Sequence, residues 1–247
     1  MDTCAIVIAT KTDGPAFQAW VPGGCKGLAN VGGTAAVGRL VDQLKACKLV
    51  SSVVVVGDGA ISEATPNADN HIPAGATEAE SVIAGMRAAH DTSRCLIMTA
   101  DMPLVSATAL TDLLTHAPDA DIVYPVTSRP DVEAAFPGRA VSYLKTKDGD
   151  YTGSSALLIK LETAAKKENV LVGLLGARSD PTALLGLIGP WVGLKIMLST
   201  PSLAEMEGYL SKGLGMGCRV FITHYPEMLF SLDSPDDLAI AERALTP

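Results

Sequence analysis

Apolar and polar positions follow two different periods along this chain, and the switches between them outline strands and helices. Cys4-Ala5-Ile6-Val7-Ile8-Ala9 is a continuous apolar run, as expected of a strand buried on both faces. Thr34 to Cys47 sets Val37, Leu40, Val41 and Leu44 at helical spacing, with Arg39, Asp42, Gln43 and Lys45 between them. Ser52 to Gly57 is a second strand rich in β-branched residues, and His71-Ile72-Pro73 a short third one. A helix over Glu78 to Ala89, a strand over Cys95 to Thr99, a helix over Ala107 to Thr115 and a strand over Asp121 to Val126 follow. Repeated strand–helix units predict the α/β class: a three-layer α/β/α sandwich around a mostly parallel, Rossmann-like sheet with right-handed crossovers.

After Thr127 the order loosens. Ala140 to Lys145 and Ser155 to Ile159 read as strands, with the turn chemistry of Lys147-Asp148-Gly149-Asp150 between them. Residues 161 to 217 read as a helical insert with glycine-rich joints, Arg219 to Ile222 as a late strand and Ser234 to Leu245 as a final helix. Ser234 is a suitable N-cap, with Pro235 at the first helical position and Asp237 in the first turn. Residues 1–247 are read as one domain. The apolar stretch from Val170 to Tyr209 is read as core or as the face of a homodimer.

Composition narrows the partners. The net charge of -8 and an aromatic content of 4% oppose a nucleic-acid surface, which needs clustered cations and stacking platforms. An anionic ligand then needs a local cation, from a metal or a few placed lysines. The five cysteines are scattered, with no CxxC pair, so neither a zinc site nor a disulfide framework is expected. Cys4, Cys47 and Cys95 lie in apolar surroundings and read as small core residues, and reduced thiols fit a cytoplasmic protein. Met1-Asp2-Thr3 lacks a basic leader, and Thr182 to Leu194 is too short to cross a bilayer and holds Pro190.

Candidate chemistry begins with Thr99-Ala100-Asp101-Met102-Pro103-Leu104. Asp101 stands where a buried strand leaves the sheet, the edge at which open α/β sheets bind ligands, and a carboxylate there suits a hard cation. Ser106 is the better cap for the helix that follows. In Gly23-Gly24-Cys25-Lys26-Gly27-Leu28 the lysine reads equally as a solvated loop residue or as an ammonium that reaches a phosphate. Asp233, just before the last helix, serves the helix dipole with Asp236 and Asp237, or is a second carboxylate for the cation. The loop Thr10-Lys11-Thr12-Asp13-Gly14-Pro15 is neither a Walker A loop nor a GxGxxG turn, which disfavours a nicotinamide dehydrogenase. His71, His90, His116 and His224 show no metal-ligand spacing.

Taken in order, these segments resemble the MobA-like nucleotidyltransferases of the glycosyltransferase-A fold. Ala5 to Ala9 matches the family's first strand, Lys26-Gly27-Leu28 its "K-x-L" lysine, and Val31-Gly32-Gly33 its turn. Gly75 to Val82 is similar to its base-recognition segment, with Ser81 in the serine position and Gly85 as the glycine. Thr99 to Leu104 matches its "D-x-P" aspartate. Asp148 to Ser155 resembles an acceptor-side "D-G-x-F/Y-T-G-G-N" element, and Leu232 to Leu238 the terminal "D-T-P-E-D-L".

The resemblance implies transfer of a nucleotidyl group from a nucleoside triphosphate to a small phosphorylated or anionic acceptor, with release of pyrophosphate. It implies Lys26 and Asp101 as catalytic residues, and Asp101 and Asp233 as ligands of Mg2+. Ala9, Thr10, Lys11, Gly14, Lys26, Gly75 and Ser81 would bind the nucleotide, and Tyr151, Gly153 and Ser154 the acceptor. The chain departs from the family pattern in three places. Thr10 and Lys11 stand where two glycines are usual, Ser155 replaces an asparagine, and Ser231 replaces an aspartate of some relatives. The altered loop keeps a second expectation open, a nucleotide-binding protein of impaired activity on the same scaffold. A nucleotide-sugar glycosyltransferase is a third, although such enzymes commonly use an acidic pair on one turn and Asp101-Met102-Pro103 has one carboxylate.

Overall fold

The computed structural model describes residues 2–10, 20–89, 91–177 and 200–245. Lys11, Gly14, His90 and residues 178–199 of the apolar stretch lie outside the described residues. The first half alternates as expected. Strand β1 (Thr3–Ile8) is followed by a small hairpin of β2 (Asn30–Val31) and β3 (Thr34–Ala35), then helix α1 (Ala36–Ala46). Strand β4 (Val50–Val56), helix α2 (Gly59–Ala64), strand β5 (Asn70–Ile72), helix α3 (Glu78–Ala88), strand β6 (Arg94–Thr99) and helix α4 (Ala107–His116) follow. The second half holds β7 (Ile122–Ser128), α5 (Arg129–Ala135), β8 (Leu144–Thr146), β9 (Gly149–Gly153) and β10 (Ala156–Lys160). It ends with α6 (Leu161–Lys166), α7 (Glu168–Ala177), α8 (Leu203–Leu214), β11 (Cys218–Ile222) and α9 (Pro235–Leu245).

The main sheet runs in the order β5-β4-β1-β6-β10-β7-β9-β8, with β11 on β7. Strands β5, β4, β1 and β6 pair in parallel. All six residues of β1 are buried, and the five after Thr3 divide between two cores. Ala5 and Val7 join Leu40, Leu44, Leu110 and Leu113 on the α1 and α4 face, and Cys4, Ile6 and Ile8 join Val82, Ile83 and Met86 of α3 on the other. That division is the three-layer sandwich, and it explains the unbroken apolar runs. Each fully buried aliphatic side chain contributes roughly 1.5–3 kcal/mol relative to exposure, so these strand ends are rigid platforms for side chains at their tips.

The sheet is mixed beyond β6. Strand β10 runs antiparallel to both β6 and β7, which makes β6 and β7 parallel to one another. Strands β9 and β10 follow the same edge of β7. Between the pairs Val126↔Gly153 and Val123↔Leu158, β7 has fewer residues than its partner, so Ser154-Ser155 form a bulge. The expected strand from Ala140 to Lys145 contracts to Leu144–Thr146. Its hairpin partner across the Lys147-Asp148 turn is β9, not the strand at Ser155 to Ile159. Of the expected insert, α6, α7 and α8 are described as helices. No helix among the described residues is long and apolar enough to cross a membrane.

Candidate functional site

The loops after β5, β4, β1 and β6 leave the sheet at one edge, because these strands are parallel. Asp101 is at the tip of β6. Two features bring Lys26 to it. The Cys25 thiol donates to the Ala9 carbonyl at the end of β1 over 3.6 Å, which ties the lysine loop to the sheet. Gly27 lies so close to the β6 exit that a Cβ there would sit 2.7 Å from the Cβ of Ala100. Only glycine permits that approach.

Asp233 arrives from the other end of the chain. Phe230 and Leu232 are fully buried with Ala29, Val31 and Phe136, while Ser231 and Asp233 alternate with them on the open side. The Leu232 N–H donates to the Asp101 carbonyl at 3.0 Å, so the two aspartate-bearing segments are joined through the backbone. Lys26 Nζ then sits 2.7 Å from Asp233 Oδ1 and 3.6 Å from Asp101 Oδ2. The Lys26 and Asp101 side chains are only 15% and 12% exposed, whereas that of Asp233 is 59% exposed.

Burial pushes the Asp101 carboxyl above the ordinary carboxylate range. The neighbouring Thr99 hydroxyl and the Lys26 charge pull it back, and Asp233 raises it further. Asp101 Oδ1 and Thr99 Oγ1 are buried and have no partner at hydrogen-bonding geometry among the described residues. A buried carboxylate oxygen without a partner, beside a second carboxylate, offers oxygen ligands of the kind that a hard cation takes. No cluster of three or more His, Cys, Asp or Glu that could hold a metal occurs among the described residues.

The other expected nucleotide residues take several roles. The Ala9 N–H is committed to the Val56 carbonyl at 2.8 Å, and Thr10 is half-buried beside it. Gly75 lies in the loop after β5, where its N–H donates to Ser81 Oγ at 3.0 Å. Ser81 Oγ in turn donates to the Thr77 carbonyl at 3.0 Å, so this fully buried serine shapes the loop. The acceptor trio is divided. Tyr151 lines a concavity of about 400 Å³ with Ser128, Arg129, Pro130, Asp148, Gly149 and Asp150. A Cβ on Gly153 would collide with the Tyr124 phenol. Buried Ser154 donates to the Met228 carbonyl and accepts the Ala156 N–H at 3.0 Å. The concavity opens at the end of β7, the same edge of the sheet as Asp101.

Three residues outside the expected set support the site. Arg139 Nε donates to Asp237 Oδ1 at 2.7 Å, and Arg139 Nη2 to the Ser231 carbonyl at 2.7 Å. Asp237 also accepts the Asp233 N–H at 3.0 Å, beyond the helix-dipole role read for it. Ser231 Oγ donates to Asp233 Oδ2 at 2.9 Å. The alternation Phe230-Ser231-Leu232-Asp233 is the sequence signal that could have found Ser231. Nothing local marks Arg139, which follows Pro137-Gly138 in a loop.

Comparison with known proteins identifies the family. The profile of the MobA-like NTP transferase domain matches residues 22–169. A hypothetical transferase from Thermus thermophilus is 30% identical over 96% of this chain and 100% of its own, with a TM-score of 0.84. The 2-C-methyl-D-erythritol 4-phosphate cytidylyltransferase of Thermus thermophilus shares the fold at 19% identity, covering 98% of each chain, with a TM-score of 0.58. CMP:2-keto-3-deoxy-manno-octonic acid synthetase complexed with CTP shares it at 13% identity over 90% of each chain, with a TM-score of 0.54. Curated proteins give no match. The profile match over more than half the chain and the full-length similarity to the Thermus protein place this chain in the MobA-like NTP transferase family.

Proposed function

We propose that this protein transfers a nucleotidyl group from a nucleoside triphosphate to a small phosphorylated or otherwise anionic acceptor, releasing pyrophosphate. The observation that carries this reading is the Lys26 ammonium held between Asp101 and Asp233 at the ligand-binding edge of the sheet.

Asp101 and Asp233 would hold Mg2+, a cation that is commonly bound by one or two carboxylates together with substrate phosphates. The orphaned Asp101 Oδ1 fits that use. When bound, the ion withdraws charge from the phosphate oxygens. Lys26 provides the compact cation for the triphosphate, exchanging its carboxylate partners for phosphate oxygens. Thr10 contributes at the end of β1, and Lys11 and Gly14 remain sequence assignments. The Ser81 hydroxyl fixes the Gly75 loop, which would read the base. Tyr151 and the concavity beside β7 would receive the acceptor. An acceptor oxygen already anionic attacks the α-phosphorus in line, the bond to the bridging oxygen breaks, and no general base is needed. Catalysis then rests on positioning and charge.

Pyrophosphate release should be measured with ATP, CTP, GTP and UTP against a panel of sugar phosphates, polyol phosphates and sugar acids. Release with one nucleotide and one acceptor class, lost in Lys26→Met, is the expected result. Nucleotide binding by calorimetry without release would support the impaired-enzyme alternative. Absence of both binding and release would overturn the proposal.

A further inference from the structure

Asp233 is the most exposed of the three charges at the site, yet it is held in one place from three sides. Its N–H is bound by Asp237, its Oδ2 by Ser231 Oγ, and its Oδ1 by Lys26. Arg139 lies behind all of this. Its side chain is 8% exposed and that of Asp237 is 7% exposed, so this ion pair is withdrawn from water. The planar guanidinium reaches Asp237 through Nε and the Ser231 carbonyl through Nη2, and it stacks 4.3 Å over the Phe230 ring. Nη2 is also 3.8 Å from Asp233 Oδ2.

We propose that Arg139 is a positioning residue that aims the Asp233 carboxylate at Lys26. Its rigid fork spans the extended segment 230–233, which carries Asp233, and the first turn of α9, whose Asp237 accepts the Asp233 N–H. Lysine cannot reproduce that span, because an ammonium is a point donor on a flexible stem. Phe230, which packs against Phe136 with centroids 4.8 Å apart, lies under the guanidinium, and the Arg139 side chain is only 8% exposed. In the proposed reaction, on which this inference rests, phosphates draw Lys26 away from its carboxylates. Asp233 keeps its direction at that moment because Arg139, Asp237 and Ser231 hold it from behind.

The test reads the Lys26–Asp233 pair in the full chain without nucleotide or metal. Lysines are labelled competitively with a limiting amount of acetic anhydride, so that an amine held tightly against a carboxylate reacts least, and each site is quantified by mass spectrometry. Lys45, Lys147 and Lys166, paired with Asp69, Glu205 and Glu162, serve as internal references. Arg139→Lys keeps the buried charge but loses the fork. Lys26 labelling relative to the references should rise several-fold once the amine is no longer held against Asp233. Ser231→Ala, which leaves the Arg139–Asp237 pair intact, should give a smaller rise, and Asp233→Asn should give a rise at least as large as Arg139→Lys.

A merely structural ion pair would lower the melting temperature of Arg139→Lys and leave the Lys26 ratio unchanged, and that result would overturn the proposal. An unchanged ratio in both Ser231→Ala and Asp233→Asn would overturn it as well. Labelling is read without turnover, so it tests Arg139 even in a chain that proves inactive with every nucleotide. Failure of the proposed activity and failure of the positioning role are therefore distinguishable.

Discussion

The β6 edge and the β8–β9 hairpin both carry many charges, and they use them in opposite ways. Around Asp101, the Lys26, Asp101, Arg139 and Asp237 side chains are each no more than 15% exposed, and they share partners. Around the hairpin, Arg129 pairs with Glu133 and Asp150, and Lys147 with Glu205, all with the cation about half-exposed. Water screens the second set, so each of its pairs contributes little. The first set is held where screening is weak, so each charge depends on its partner. The proposed task of stabilising charge on phosphates calls for the first arrangement. A surface that only fixes loops around a concavity is served by the second.

The strongest way to break this contrast is to remove one buried charge. Asp237→Ala leaves the Arg139 guanidinium without its main partner in an apolar surround. We expect a loss of about 3–5 kcal/mol, read by urea denaturation. Glu133→Gln, on the exposed set, should leave the denaturation midpoint nearly unchanged. Comparable losses in the two variants would end the distinction.

Removal of the Lys26 charge tests function more than stability. Lys26→Met should lower the rate of pyrophosphate release by about 10²- to 10³-fold, the cost of one preorganised charge-stabilising group. The fold should survive, because the buried Asp101 carboxyl can take up a proton and Asp233 faces water. A small rate effect would mean that the phosphates are held elsewhere.

The two regions also differ in how far the sequence reveals them. In the first half, burial on both sheet faces forces long apolar runs, so β1, β4 and β6 are legible within a residue or two. Helices α1, α3 and α4 are legible from their spacing and caps, such as Ser106, which accepts the Ala109 N–H at 3.1 Å. In the second half, β9 reads Gly-Asp-Tyr-Thr-Gly, with no apolar alternation, because it pairs with β7 and β8 near the surface. The antiparallel course of β10 is invisible locally, since an apolar run does not encode direction. Among site residues, Asp101 is legible from its place at a strand exit, and Lys26 and Asp233, open to two readings by themselves, are given roles by a collinear resemblance. Arg139 is hidden because its side-chain partners, Phe230, Ser231 and Asp237, lie some ninety residues away in sequence.

A smaller effect sharpens the role of close approach. Gly27→Ala would place a methyl group 2.7 Å from Ala100 Cβ and 3.3 Å from Val37 Cβ. Overpacking of this kind costs about 1–3 kcal/mol and should push the lysine loop off the β6 exit. Lys26 would then lose Asp101 before Asp233, since the longer of its two contacts is the one to Asp101. The expected signature is weaker nucleotide binding by calorimetry, with a modest drop in melting temperature.

The smallest effect belongs to the hairpin side. Glu205 closes a capping box on α8 with Ser202 and accepts from Lys147 Nζ at 2.8 Å. The Lys147 hydrogen bond, followed by the Ser202 N–H, draws its carboxyl from 4.5 down to about 2. A carboxyl lowered on folding stabilises the protein above its unfolded value and loses that contribution as pH falls through the folded one. Glu205→Gln retains a capping side chain and removes the charge. The melting temperatures of wild type and variant should therefore differ slightly at pH 7 and converge between pH 4.5 and about 2. High salt should shrink the gap at pH 7, because the pair is exposed. A gap that persisted at about pH 2 and in high salt would mean that Glu205 acts through side-chain geometry rather than charge, and the hairpin would then resemble the Asp101 edge more than it differs from it.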